Sequence, residues 1–182
     1  MDKDFIRQNA VAYGACRENF HWYFLDGELY IEGTGDLDYV EDWSWFYDPP
    51  AGEYWKRNKP VVHPWKELMG QIRHVEIGEG CRSLGLGCFE NHSNLETVIL
   101  PESVEVIGLY AFSNCIRLKN VTLGEHVEKI DDYAFNGCIA LKSLAVPESV
   151  KQIGIGAFYM VEHISCRNTL AAENNWGARS RK

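Results

Sequence analysis

The side chains with the most obvious chemistry are six cysteines and six histidines. Cys16, Cys81, Cys88, Cys115, Cys138 and Cys166 form no C-x-x-C pair. His21, His63, His74, His92, His126 and His163 form no H-x-x-x-H or C-x-x-H step. Zinc-ribbon, zinc-finger and thioredoxin-like chemistry therefore lack their ligand spacing, and the histidines are expected at surface or edge positions. Cys88 and His92 stand four residues apart and could approach on a helical turn as a thiol and its base. A nucleophilic cysteine needs an exposed thiolate with an oriented partner. Cys88 instead occupies a position where the chain repeatedly places a small buried residue. No catalytic, cofactor-binding or metal-ligating residue is assigned, and the chain is expected not to be an enzyme.

A second chemical candidate is the aromatic segment holding Tyr39, Trp43, Trp45, Tyr47 and Trp55, with Asp36, Asp38, Glu41, Asp42 and Asp48 among the rings. Exposed rings beside carboxylates can hold a sugar by stacking and by hydrogen bonds to its hydroxyls. Rings gathered at the end of a core more often bury themselves, because each carries a large apolar area and a polar tip that needs a partner. A carbohydrate-binding module is thus the alternative reading. Carboxylates alone do not make a glycosidase, which needs a defined separation across a cleft.

What must position these groups is a repeat. From residue 72 to 163 one 23-residue pattern is written four times without insertion or deletion. Each turn opens with three apolar positions: Ile72, Val75 and Ile77; Leu95, Val98 and Leu100; Leu118, Val121 and Leu123; Leu141, Leu144 and Val146. A Gly-Glu or Pro-Glu step follows, at Gly78, Pro101, Gly124 and Pro147, where the chain must reverse because proline cannot pair within a central strand. A second apolar pair comes next, then a small residue beside a ring: Cys88-Phe89, Ala111-Phe112, Ala134-Phe135 and Ala157-Phe158. A fixed period of this length specifies a solenoid whose units bury their apolar faces only against neighbours. Adjacent first strands are expected to be parallel, ~4.8 Å apart. If Cys115 and Cys138 both point inward they stack at about that distance, within disulfide range. The favoured reading is packing, with each thiol a small apolar group whose S–H meets a backbone carbonyl.

The outward residues of the first strands then form columns: His74 and Glu76, Thr97 and Ile99, Asn120 and Thr122, Ser143 and Ala145. They are the candidate binding surface, small and mixed in polarity, suited to a protein partner, since solenoid sheets present extended recognition faces. The net charge of −8 gives no phosphate-binding surface, so no nucleic-acid partner is expected. No stretch approaches the ~18 apolar residues of a membrane span.

The flanks are expected to cover the open apolar ends. Residues 1–15 read as an N-terminal arm or short helix. Residues 16–71 read as a capping module, with a hairpin at Asp26-Gly27 between 20–25 and 28–32, and an aromatic, proline-broken stretch ending in a helical turn near Trp65. Residues 164–182 read as a strand, a helix capped at Asn168-Thr169, and a basic tail. The N-terminus has no apolar segment of signal-peptide type, so a secretory leader is not expected in this sequence.

The unit L-x-x-V-x-[IL]-[PG]-E-S-V-x-x-I-G-x-x-A-F-x-x-C, read from residues 95–117 and 118–140, resembles the BspA-type leucine-rich repeat. Cys16, Trp22, Asp26-Gly27, Leu29, Ile31, Gly33-Thr34-Gly35 and Pro64-Trp65 are similar to the capping module that precedes such repeats in bacterial proteins. The resemblance implies a β-rich (α+β) fold: a short right-handed leucine-rich-repeat solenoid with a parallel β-ladder on its concave face, an N-terminal hairpin and aromatic cap, and a C-terminal strand-helix cap. It also implies a non-enzymatic module of adhesion or host-interaction type, in proteins that are commonly secreted or surface-exposed, with no cofactor.

Overall fold

A computed structural model describes residues 2–16, 19–37, 63–162 and 164–166. The chain opens with helix α1 (Lys3–Asn9), capped by the Asp2 carboxylate, which accepts the Phe5 N–H at 3.1 Å. Strands β1 (Ala12–Cys16), β2 (Phe20–Leu25) and β3 (Glu28–Gly33) follow as an antiparallel meander, with Asp26-Gly27 at the β2–β3 turn. Trp22 and Phe24 face inward with Leu29 and Ile31 and are buried, as the alternation requires. Strand β1 runs across residue 15 and pairs along all of its length with β2. Of the two readings of this stretch, the short helix is the one present, as α1, and it leads directly into the paired strand β1.

Each repeat contributes two short strands. The first-strand series is β5 (His74–Ile77), β7 (Thr97–Ile99), β9 (Asn120–Thr122) and β11 (Leu144–Val146), closed by β13 (Ile164–Cys166). The second-strand series is β6 (Cys81–Leu84), β8 (Val106–Ile107), β10 (Lys129–Ile130) and β12 (Gln152–Ile153), and β4 (Gly35–Leu37) joins it at the N-terminal end. Two ladders therefore build the stack, one more than the sequence pattern suggested; the repeat strands within each are parallel, and the antiparallel β1-β2-β3 meander extends the first. The first contains β1-β2-β3-β5-β7-β9; the second contains β4-β6-β8-β10-β12. Gly33-Thr34-Gly35, expected only to end a strand, transfers the chain from the first ladder to the second.

The core lies between the ladders. Phe89, Phe112, Phe135 and Phe158 stack ring on ring at 5.5, 5.2 and 5.6 Å. Trp65 continues the column at 5.6 Å from Phe89, and His63 stacks on Trp65 at 5.2 Å. The turn before the first repeat thus enters the same aromatic ladder; Trp65 lies one repeat length and one residue before Phe89. Two features make the 23-residue spacing rigid. At the Gly/Pro-Glu step, Glu79 accepts the N–H groups of Glu102 and Ser103, and Glu102 accepts that of Glu125 at 2.7 Å, so these two acidic residues each cap the turn above. At the loop corner, Gly87, Tyr110, Tyr133 and Gly156 all hold φ between 56° and 61°. Two turns spend glycine there, whereas the middle turns accept the strain of a left-handed tyrosine and stack the two rings at 5.3 Å.

The regularity fails once. β9 ends the first sheet, and β11 pairs with β13 instead of with β9. The N–H groups of Glu96 and Lys119 bond to the carbonyls of Arg73 and Glu96 one turn before them. Among the described residues, no such bond joins Lys142 to Lys119. Val121 and Leu123 are accordingly half-buried, whereas their counterparts Val98, Leu100, Leu144 and Val146 are buried. The second ladder and the ring column cross this level unbroken.

Candidate recognition surface

The outward columns form as the alternation requires, because successive side chains on a strand face opposite sides. His74 pairs with Thr97 and Thr97 with Asn120; Glu76 pairs with Ile99 and Ile99 with Thr122. The columns continue into the cap, where Glu28 lies beside His74 and Tyr30 beside Glu76, with Tyr23 beyond Tyr30. Ser143 lies outside the strands and Ala145 sits on β11, across the break from Thr122.

The face is not uniformly open. α1 lies over its N-terminal half through long basic side chains. Lys3 Nζ stands 2.7 Å from Glu76 and 5.4 Å from the centre of the Tyr30 ring. Arg7 pairs with Glu32 and with Asp4, and its guanidinium lies 5.2 Å from the same ring. Glu76, counted among the open residues from sequence, is only 8% exposed, and Tyr30 is buried. The reason is outside the repeats: helix α1 supplies the cation that makes burial of this carboxylate tolerable. The Arg7 guanidinium holds the Glu32 carboxyl below its ordinary range against the opposing effect of its own partial burial. What stays open is the later half: Ile99 is 39% exposed, with Asn120, Thr122, Ser143 and Ala145 exposed and His74 and Thr97 half-buried.

The groups with reactive potential are sealed. Cys16, Cys81, Cys88, Cys115 and Cys138 are in no disulfide and are buried. The Cys115 Sγ donates to the Phe89 carbonyl at 3.1 Å and the Cys138 Sγ to that of Phe112 at 3.2 Å, one step along the ring column. Burial pushes the Cys81 and Cys138 thiols up to about 12 and also holds the Cys115 thiol well above its ordinary range. Cys88 is fully buried, so the Cys88–His92 pair has no accessible thiol and does not make a nucleophile.

Two histidines depart from the surface placement expected of them. His63 and His92 are 4% and 3% exposed. The His63 Nε2 lies 3.3 Å from the Leu86 carbonyl, and burial lowers its pKa to about 4. His92 packs edge-on against Phe89, with Nδ1 3.2 Å from the Glu90 carbonyl, and burial lowers its pKa too. The signal was present in the sequence: His92 stands 23 residues before Cys115, in a column that is inward in every turn. Among the described residues no cluster of His, Cys, Asp or Glu could hold a metal, and no helix is long and apolar enough to cross a membrane. Tyr39, Trp43, Trp45, Tyr47 and Trp55, together with the expected C-terminal helix, lie outside the described residues.

Residues 68–174 match the family model of the BspA-type leucine-rich repeat region, in six copies. Among solved structures the fold is similar to a leucine-rich repeat protein from Eubacterium ventriosum, at 20% identity and a TM-score of 0.58, covering 87% of this chain and 45% of that one. The pneumococcal vaccine antigen PcpA aligns at 22% identity and a TM-score of 0.53, over 80% of this chain and 30% of that one. A leucine-rich repeat protein from Bacteroides ovatus aligns at 23% identity and 0.52, over 81% and 40%. These likenesses are of fold, and the chain spans less than half the length of each of the three. No curated protein matches it in sequence.

Proposed function

This chain belongs to the BspA-type leucine-rich repeat family, and on that premise we propose that it is a non-enzymatic module that binds a protein partner through the outward face of its first sheet. The family suggests protein binding. One observation points to the face: Thr97, Ile99, Asn120 and Thr122 stand in paired columns, and of these Ile99, Asn120 and Thr122 are exposed among the described residues. The strands fix the side chains before any partner arrives, so association costs little ordering of this surface. The mixture of threonine, asparagine and one exposed isoleucine suits a contact made of hydrogen bonds around an apolar centre. Adhesion to a host protein is the specific form of this function that we adopt.

A photo-crosslinking amino acid placed at Asn120 should capture a partner that can then be purified and titrated against the protein. The Asn120→Arg, Thr122→Arg double variant should weaken that purified complex at least tenfold while leaving the thermal midpoint within a few degrees. Unchanged affinity in the double variant places the site elsewhere.

A further inference from the structure

Beside α1 the outward face forms an open cleft of about 460 Å³. Two of its apolar lining residues are left to solvent, Phe5 at 57% and Ile99 at 39%. The carboxylates of Asp2, Asp26 and Glu28 line it with them, and among the described residues no lysine or arginine does. Of the nearby cations, Lys3 is engaged by Glu76 and Arg7 by Glu32 and Asp4, while the Arg73 side chain lies beside Gly27 outside the lining. His74 lies 3.9 Å from Glu28 and is the one basic group in the lining among the described residues. An exposed apolar pair flanked by three carboxylates is costly to cover with another apolar or acidic surface, because either would strip water from the carboxylates without replacing it.

We infer that this cleft takes a protein segment in which a lysine or arginine lies next to an aliphatic or aromatic side chain, the apolar group seating between Phe5 and Ile99 and the cation reaching Asp26 and Glu28. This names the partner chemistry of the outward-face reading and rests on it. A small molecule fits less well. Pockets for such ligands enclose most of the ligand and present convergent polar groups, whereas this cleft is open and its polar groups stand at the solvent edge. The charges act here through steering and selection of partner more than through raw affinity, so the interaction weakens as salt screens it.

The test is a random displayed peptide library panned against the intact protein, followed by titration of the selected peptides, as synthesised, in low and high salt. Selection should enrich Lys or Arg adjacent to Leu, Ile or Phe. Ile99→Arg should abolish binding, and Asp26→Asn with Glu28→Gln should lower affinity at least tenfold and flatten its salt dependence. Asparagine suits the left-handed turn position of Asp26, where φ is 49°, so the double variant keeps its fold. Peptides without a basic preference, lost in Ile99→Arg, overturn the charge pairing and leave the outward-face reading standing. Peptides that survive Ile99→Arg but fail with Asn120→Arg, Thr122→Arg overturn the cleft alone. Binding indifferent to all of these changes overturns both, and a library that yields no binder overturns the cleft.

Discussion

The ring column is where single residues carry the most weight. Phe112 and Phe135 are fully buried and each stacks on a ring above and below, so truncation removes contact on both sides and leaves a cavity that the rigid turns cannot close. Phe135→Ala should cost about 3–5 kcal/mol in denaturant unfolding. A loss under about 1 kcal/mol would contradict the stacking. Lys3→Ala leaves the Glu76 carboxylate, which is 8% exposed, without its cation, so it should cost more than the ~0–1 kcal/mol of a pair with both partners in solvent. His63 sets a pH dependence of definite sign. Its folded-state pKa is lowered to about 4 from the ordinary 6.5, so the unfolded chain binds the extra proton as pH falls between those values. Stability that is complete above pH 6.5 is therefore lost toward pH 4. Denaturant melts at pH 7.5 and 4.5 should show His63→Gln losing roughly 2 kcal/mol less than the parent protein across that interval. Equal losses would mean that His63 protonates without penalty. The buried thiols predict a further result: Cys115 and Cys138, protonated and without access to solvent, should react with a disulfide reagent only on unfolding.

Among the elements, the break between β9 and β11 has the clearest consequence. The Asn120 N–H bonds to the Glu96 carbonyl, so the alternation of a parallel strand turns the Val121 N–H away from β7, toward a side where no strand pairs with it. Val98, its counterpart one turn earlier, lies between β5 and β9. In native-state hydrogen exchange followed by NMR, the Val121 amide should exchange on the order of 100-fold faster than that of Val98. Equal protection would show that the first ladder closes in solution. The break confines any flexing of the first sheet to one level, because the second ladder and the phenylalanine column continue through it. The helix α1 is the other element that shapes the face. Its seven residues are too few to be stable alone, so its position depends on Lys3, Arg7 and the buried Ile6.

For the whole molecule, the two ladders and the ring column form one stack, and the outward face of the first ladder beyond α1 is its candidate binding surface. Substitutions there should separate binding from folding: the Thr122→Arg change adds a charge on an exposed strand position, where effects on stability stay within about 0.5 kcal/mol. The 23-residue period, the inward residues, the turns and the phenylalanine rings were legible from the sequence, because each depends on a local spacing that the chain writes four times. So was the hairpin at Asp26-Gly27, which a turn signal and alternation define within a dozen residues. The burial of Glu76 was not legible, since it depends on Lys3, seventy-three residues away in sequence, lying across the sheet. Nor was the break after β9: Asn120-Val121-Thr122 looks like its neighbours, and only the stacking of successive turns decides which backbone groups meet. The sequence by itself determined the repeat, its core and the family, because these rest on periodic local chemistry. Only the tertiary structure decided which part of the outward face is open and where its cleft lies, because both depend on α1 folding back over strands that are remote in the chain.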